Sequence, residues 1–139
     1  MSRARQLDTR PLIAALIVYA GASLFQHVHN ALFLSVHSAL PSRLSVLNVY
    51  AAWAAMSVIG LAGYVLLRQK YLAPALIALV IYGACGLDGL AHYVVAEFSA
   101  HPVMMHAAIL LETVSGIILI CLAAATAVQA RRLGMLRSY

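Results

Sequence analysis

The chain has 139 residues, of which 64% are hydrophobic and 9% are charged, and its mean hydropathy is +0.92. Soluble domains are about 45–50% apolar and about 25% charged, and a soluble fold of this length leaves roughly a third of its chain surface in water. The composition therefore excludes an ordinary soluble domain. It predicts an all-α, polytopic membrane protein with a single transmembrane domain.

Four apolar stretches are each long enough to cross about 30 Å of hydrocarbon, which takes about 20 helical residues. The first begins at Pro11, the second ends before Arg68, the third begins at Leu72, and Pro102 opens the fourth. Proline is favoured in the first turn of a helix, which supports the starts at Pro11 and Pro102. The predicted four-helix bundle has helices at approximately 11–36, 44–67, 72–98 and 102–130.

The formal net charge is +5, yet the basic residues do not form one binding face. Most of them flank the apolar stretches at the N-terminus, between the second and third helices, and at the C-terminus: Arg3, Arg5, Arg10, Arg68, Lys70, Arg131, Arg132 and Arg137. This distribution is typical of cytoplasmic segments. We therefore predict that both termini face the cytoplasm, that the chain lies in the inner membrane of a bacterium, and that it has no nucleic-acid partner.

The first and third helices share a weak similarity, in which Tyr19 aligns with Tyr82 and His29 aligns with His92. Two similar helical hairpins in the same orientation would be related by a pseudo-two-fold axis along the membrane normal. The alternative is a chance alignment, because apolar sequences of low complexity align easily with one another.

Polar residues concentrate in the non-cytoplasmic half of the predicted bundle. All six histidines fall there: His27, His29, His37, His92, His101 and His106. At 1.5 Å per helical residue, Asp88 and Glu112 lie about 13–15 Å below the outer surface. Ionisable groups inside a membrane face the bundle interior and usually have a partner. No Lys or Arg is predicted at that depth, so the partner is a histidine, a metal ion, a proton or another subunit.

Asp88, His92 and His106 have the spacing of a metal site. Asp88 and His92 are four residues apart, which places them on one face of a continuous third helix, and the turn before the fourth helix brings His106 against that face. One carboxylate and two imidazoles suit copper, zinc or iron. The spacing is similar to that of the membrane-embedded copper sites in the C subunit of particulate methane and ammonia monooxygenases, a likeness confined to these three residues.

Two further residues complete the predicted site. Glu112 lies six residues after His106, about 120° round the helix, and is expected to orient a ligand histidine through its other ring nitrogen. His29 is expected to close the site from the first helix, whereas His27 points away toward lipid headgroups or a partner. The predicted metal-binding residues are Asp88, His92, His106, His29 and Glu112. Hydrogen-bonded polar packing without a metal is the alternative.

Three glycines precede His92 at a spacing of three residues: Gly83, Gly86 and Gly89. Small residues allow close approach of membrane helices, which is one explanation. The other is space for a flat cofactor, with His29 and His92 as the two axial ligands of a non-covalent haem.

The sequence therefore predicts a small membrane protein that binds a transition metal as a metal-handling protein or as a metal-site subunit. The alternatives are a non-catalytic accessory subunit of a larger membrane complex, or a b-type haem or quinone electron carrier. The expected partners are the lipid bilayer and either other membrane subunits or further copies of the chain. The chain contains no nucleophile elbow, P-loop, Rossmann glycine pattern or zincin motif, so whether it is an enzyme stays open.

Overall fold

A computed structural model describes residues 7–34, 45–95, 99 and 102–136, and their regular secondary structure is entirely helical. Its elements in chain order are α1 (Arg10–Leu32), α2 (Val46–Arg68), α3 (Leu72–Cys85), a 3₁₀ segment (Asp88–Ala91), α4 (His92–Val95) and α5 (Val103–Arg132). Four segments are long and apolar enough to cross a membrane: Arg10–Leu32, Val46–Arg68, Leu72–Val94 and Val103–Arg132. The predicted four-helix membrane fold is confirmed.

Two helix ends differ from the prediction by a few residues. α1 ends at Leu32 instead of near residue 36. α2 begins at Val46 because Ser45 and Asn48 form a capping box, in which each side chain binds the backbone N–H of the other residue, and such a box satisfies amide groups that have no partner within the helix.

The third crossing is not the continuous helix that the sequence predicted over residues 72–98. α3 ends at Cys85, and the chain continues as a 3₁₀ segment before α4 begins. Glycine disfavours helix by about 1 kcal/mol relative to alanine, and two glycines fall at the break. The carbonyl oxygen of one of them, Gly86, accepts a hydrogen bond of 3.1 Å from the Thr113 hydroxyl on α5. A neighbouring helix thus compensates for a hydrogen bond that the break removes.

The helices form a ring in which α1 and α3 each pack against α2 and α5. Successive crossings alternate in direction, so one end of the bundle carries Arg10, Arg68, Lys70 and Arg132. We call this end, predicted to face the cytoplasm, the basic end. The opposite end, where α1 finishes and α5 begins, is the histidine end.

Two tyrosines meet at the centre of the ring. The rings of Tyr19 on α1 and Tyr82 on α3 are edge to face, with centroids 4.6 Å apart and planes inclined by 71°. The Tyr82 ring also covers Gly60 of α2, and the Tyr19 ring covers Gly116 of α5. Each of these tyrosines therefore packs on a glycine in the second helix of the other hairpin. This arrangement agrees with two similar hairpins related by a pseudo-two-fold axis.

Candidate functional site

Glu112 lies in the interior of the bundle, with only 2% of its surface exposed. Among the residues that the structure describes, it is paired with His27 of α1, whose Nδ1 lies 3.9 Å from Glu112 Oε1. The other carboxylate oxygen, Oε2, faces Gly89 of the 3₁₀ segment, where a Cβ atom would lie 3.5 Å away. Three membrane crossings therefore enclose this carboxyl group.

The ring of His27 is held in a fixed orientation. Its Nδ1 lies 2.8 Å from the carbonyl oxygen of Ser23, one turn earlier in α1. Because a carbonyl oxygen only accepts hydrogen bonds, Nδ1 must carry the hydrogen, and Nε2 of the neutral ring is left as an acceptor. The backbone of α1 thus selects the tautomer of the histidine beside Glu112.

Several polar groups on the same side of α1 are buried. The Tyr19 hydroxyl, the Ser23 hydroxyl and both amide atoms of Gln26 have no hydrogen-bond partner among the described residues. The Ser23 hydroxyl lies beside the Glu112 carboxylate without meeting the geometry of a hydrogen bond. An unsatisfied buried polar group costs about 1–3 kcal/mol, so a site with several of them is suited to hold water or a polar ligand. Glu112, His27, Ser23, Gln26 and Tyr19 are together called the Glu112 site.

A second polar layer lies nearer the histidine end and links α1 to the third crossing and the third crossing to α5. Asn30 Nδ2 lies 3.3 Å from His92 Nε2, within hydrogen-bond distance. The Tyr93 hydroxyl lies 2.9 Å from His106 Nδ1, and the two rings are stacked with centroids 5.5 Å apart. Two of the predicted metal-binding histidines therefore make side-chain hydrogen bonds with Asn30 and Tyr93.

His29 does not contribute to the Glu112 site. It is two residues from His27, which is about 200° round an α-helix, so the two side chains leave α1 in nearly opposite directions. Its ring packs on Phe33 with centroids 4.7 Å apart, and neither ring nitrogen has a hydrogen-bond partner among the described residues. From the sequence, His29 was expected to lie inward and His27 to point away. His29 is buried, with 5% of its surface exposed, but the histidine that lies near Glu112 is His27.

The predicted grouping of Asp88 with His92 does not follow from the observed backbone. Residues four apart share a face of an α-helix, but at three residues per 3₁₀ turn they diverge. Asp88 is exposed, whereas His92 is partly buried. Within residues 7–34, 45–95, 99 and 102–136, no three His, Cys, Asp or Glu side chains are grouped as a metal site. His37 and His101 lie outside the described residues, and metal binding stays a prediction.

Groups from neighbouring helices fill the space beside the three glycines before His92. A Cβ on Gly83 would lie 2.8 Å from the carbonyl oxygen of Gly116, and one on Gly86 would lie 2.8 Å from the Tyr19 ring. Gly89 faces the Glu112 carboxylate, as described above. These contacts favour close helix approach over space for a flat cofactor on this face.

The positions of His27 and Ser23 beside Glu112 were not predicted from the sequence. The available signal was the polar stripe Tyr19, Ser23, Gln26, His27 and Asn30, whose spacing places it on one side of an otherwise apolar helix. Either of two histidines two residues apart could face Glu112, and only the packing of α1 against α3 and α5 decides between them.

The chain matches no protein-family model, no curated protein and no solved structure. The functional proposal below therefore rests on the geometry of the Glu112 site.

Proposed function

We propose that this chain is a proton-binding protein of a bacterial inner membrane, in which Glu112 takes up and releases a proton inside the histidine end of the bundle. The observation that carries the proposal is the burial of Glu112 with His27 as its neighbour at 3.9 Å. Ionisable residues in such positions mark ion and proton pathways in membrane proteins.

The chemistry of the pair supports one mobile proton. A charged side chain inside the bilayer costs at least about 2.5 kcal/mol, so Glu112 needs a proton or a positive partner. The ring nitrogen that lies 3.9 Å from Glu112 is Nδ1, which already carries a hydrogen, so a proton that leaves the carboxyl group reaches Nε2 of His27 through an intervening water. A neutral pair then becomes an ion pair with the same net charge. Nδ1 keeps its hydrogen on the Ser23 carbonyl throughout. Glu112 and His27 are therefore two alternative protonation sites for one proton.

The neighbouring polar groups favour exchange toward the histidine end. Gln26 and Asn30 lie on the same side of α1 as His27, and Asn30 reaches His92 of the third crossing. In the opposite direction, the core beyond Tyr19 consists of apolar side chains such as Leu12, Leu16 and Leu119. A proton thus has a polar route in one direction and an apolar barrier in the other.

Infrared spectroscopy of the full chain in lipid vesicles tests this proposal. A protonated carboxyl group gives a C=O stretching band that a carboxylate lacks, and we expect one such band from a buried group to titrate with pH. Glu112→Gln should abolish that band, while the control Asp8→Asn, at an exposed carboxylate that precedes α1, should leave it in place. A spectrum in which Glu112→Gln changes nothing would refute the proposal.

One observation favours a second candidate, the metal binding predicted from the sequence. Histidines that bind metals usually donate their other ring N–H to a carbonyl or carboxylate, and His27 Nδ1 has this arrangement with Ser23. Elemental analysis of purified protein tests this candidate. Copper, zinc or iron that is lost in His27→Ala but retained in Asp88→Ala would favour a metal at the Glu112 site, and a metal-free wild type would eliminate it.

A further inference from the structure

An apolar groove of about 380 Å³ runs along the outside of the bundle between α1 and α2, with Tyr82 of α3 at its base. Its volume falls within the range of about 300–1,000 Å³ found for ligand sites. The α1 wall includes Ile13, Ile17 and Ala20, and the α2 wall includes Trp53 and Tyr64.

The length of the groove matches one leaflet of a bilayer. Its lining on α2 extends from Trp53 to Tyr64, which is about 16 Å at 1.5 Å per residue. Half of a hydrocarbon core of about 30 Å is about 15 Å. A transmembrane helix from a second copy would need a groove along the whole core, whereas a single acyl chain needs a groove of only this length.

Both walls carry an arginine one helical turn beyond the groove, at the basic end. Arg10 lies three residues before Ile13 on α1 and is exposed. Arg68 lies four residues after Tyr64 on α2, and its guanidinium donates a hydrogen bond of 3.0 Å to the Tyr64 hydroxyl while lying 5.8 Å from the centre of the Tyr64 ring. Two cations therefore flank the mouth of an apolar groove at the level of lipid headgroups.

We propose that this groove is a binding site for an anionic phospholipid of the leaflet at the basic end. One acyl chain fills the space between Ile17, Ala20 and Trp53, and the phosphate and anionic headgroup lie between Arg10 and Arg68. A basic residue near the membrane surface attracts anionic lipid with about 1 kcal/mol, or about fivefold in occupancy. The site is separate from the Glu112 site and does not depend on the proton proposal.

Trp53 provides the measurement, because it is the single tryptophan of the chain and lines the groove. Brominated acyl chains quench indole fluorescence on contact. The full chain is reconstituted in phosphatidylcholine vesicles containing a minor fraction of brominated lipid, either phosphatidylglycerol or phosphatidylcholine. We expect the brominated phosphatidylglycerol to quench Trp53 with an apparent affinity at least about fivefold higher.

Matched variants distinguish a site from general attraction to a basic surface. Arg10→Gln with Arg68→Gln should remove the preference for phosphatidylglycerol, whereas Arg131→Gln with Arg132→Gln, at the same end of the bundle on α5, should retain it. Equal quenching by the two lipids in the wild type would overturn the proposal, and so would equal effects of the two double variants.

A groove-filling variant tests the acyl chain itself. Ala20→Phe places a ring in the groove and should weaken quenching by both lipids, while Ala124→Phe, at an exposed position of α5, should not. If quenching is weak in the wild type and rises as the protein is diluted in lipid, a second copy covers the groove, and the lipid proposal is wrong.

Discussion

The backbones of Gly83 and Gly116 touch where α3 crosses α5, so that a Cβ atom on Gly116 would lie 2.6 Å from the carbonyl oxygen of Gly83. A methyl group has no space there, because both sides of the contact are main chain. Close contacts of this kind let membrane helices associate through van der Waals packing. The same crossing holds α5, and with it Glu112, against α1 and the 3₁₀ segment.

We expect Gly116→Ala to lower the free energy of unfolding by about 1–3 kcal/mol, the usual cost of overpacking. Gly21→Ala is the control, since a Cβ there meets nothing within 4 Å, and glycine within a helix is itself destabilising by about 0.5–1 kcal/mol relative to alanine. Titration with a denaturing detergent, followed by circular dichroism, measures both. A Gly116 variant as stable as the Gly21 variant would contradict the described crossing.

The two glycines of the broken crossing should respond differently to alanine. A Cβ on Gly86 would lie 2.8 Å from the Tyr19 ring and 3.1 Å from the carbonyl oxygen of Glu112, whereas one on Gly89 would meet the Glu112 carboxylate at an ordinary 3.5 Å. Gly86→Ala should therefore destabilise the protein, and Gly89→Ala should be tolerated. Equal losses in the same detergent titration would show that the 3₁₀ segment packs differently.

The number of membrane crossings is predictable from the sequence, because it depends only on the order of apolar and basic segments along the chain. Long apolar runs, prolines at helix starts and flanking arginines are enough to count four crossings. The break after Cys85 is not predictable from the sequence, since Gly86 and Gly89 are compatible with a continuous membrane helix as well as with a 3₁₀ turn. Because of that break, the relative position of Asp88 and His92 cannot be derived from ideal α-helical spacing, and their grouping in a metal site stays a prediction.

The candidate site was predictable in location but not in composition. Glu112 was expected to be buried and to orient a histidine, because a carboxylate inside a membrane needs a partner. The identity of that histidine depends on how α1 is rotated about its axis. Tyr19, wedged between Tyr82 and Gly116, fixes this rotation through tertiary contacts, and such contacts cannot be read from spacing within one helix.

Substituting His27 or His29 should have different effects on the infrared band of protonated Glu112. In the proposed exchange the proton of Glu112 can bind His27 instead, so removing the imidazole leaves that proton on the carboxyl group. His27→Ala should therefore strengthen the infrared band of protonated Glu112 at neutral pH. His29→Ala, which alters the opposite side of α1, should leave the band unchanged. An effect of His29→Ala alone would show that His29, and not His27, acts on Glu112.

The unpartnered hydroxyl of Ser23 makes it possible to test whether the Glu112 site is hydrated. A proton route needs water between side chains that are not in direct contact, and polar cavities hold water when several groups bind it. If water binds Ser23 and Gln26, then Ser23→Ala removes a hydrogen bond and should cost about 1 kcal/mol in unfolding free energy. In a dry site, the same change removes an unsatisfied buried hydroxyl and should be neutral or stabilising.

Ser115→Ala is the control for this change, because the Ser115 hydroxyl is satisfied within α5 by the carbonyl oxygens of Leu111 at 2.7 Å and Glu112 at 3.0 Å. A loss in Ser23→Ala that exceeds the loss in Ser115→Ala, together with a changed pH dependence of the Glu112 band, indicates a hydrated proton site. A stabilised Ser23→Ala with an unchanged band would show that the site is dry, and a proton could then not reach Glu112 along this face of α1.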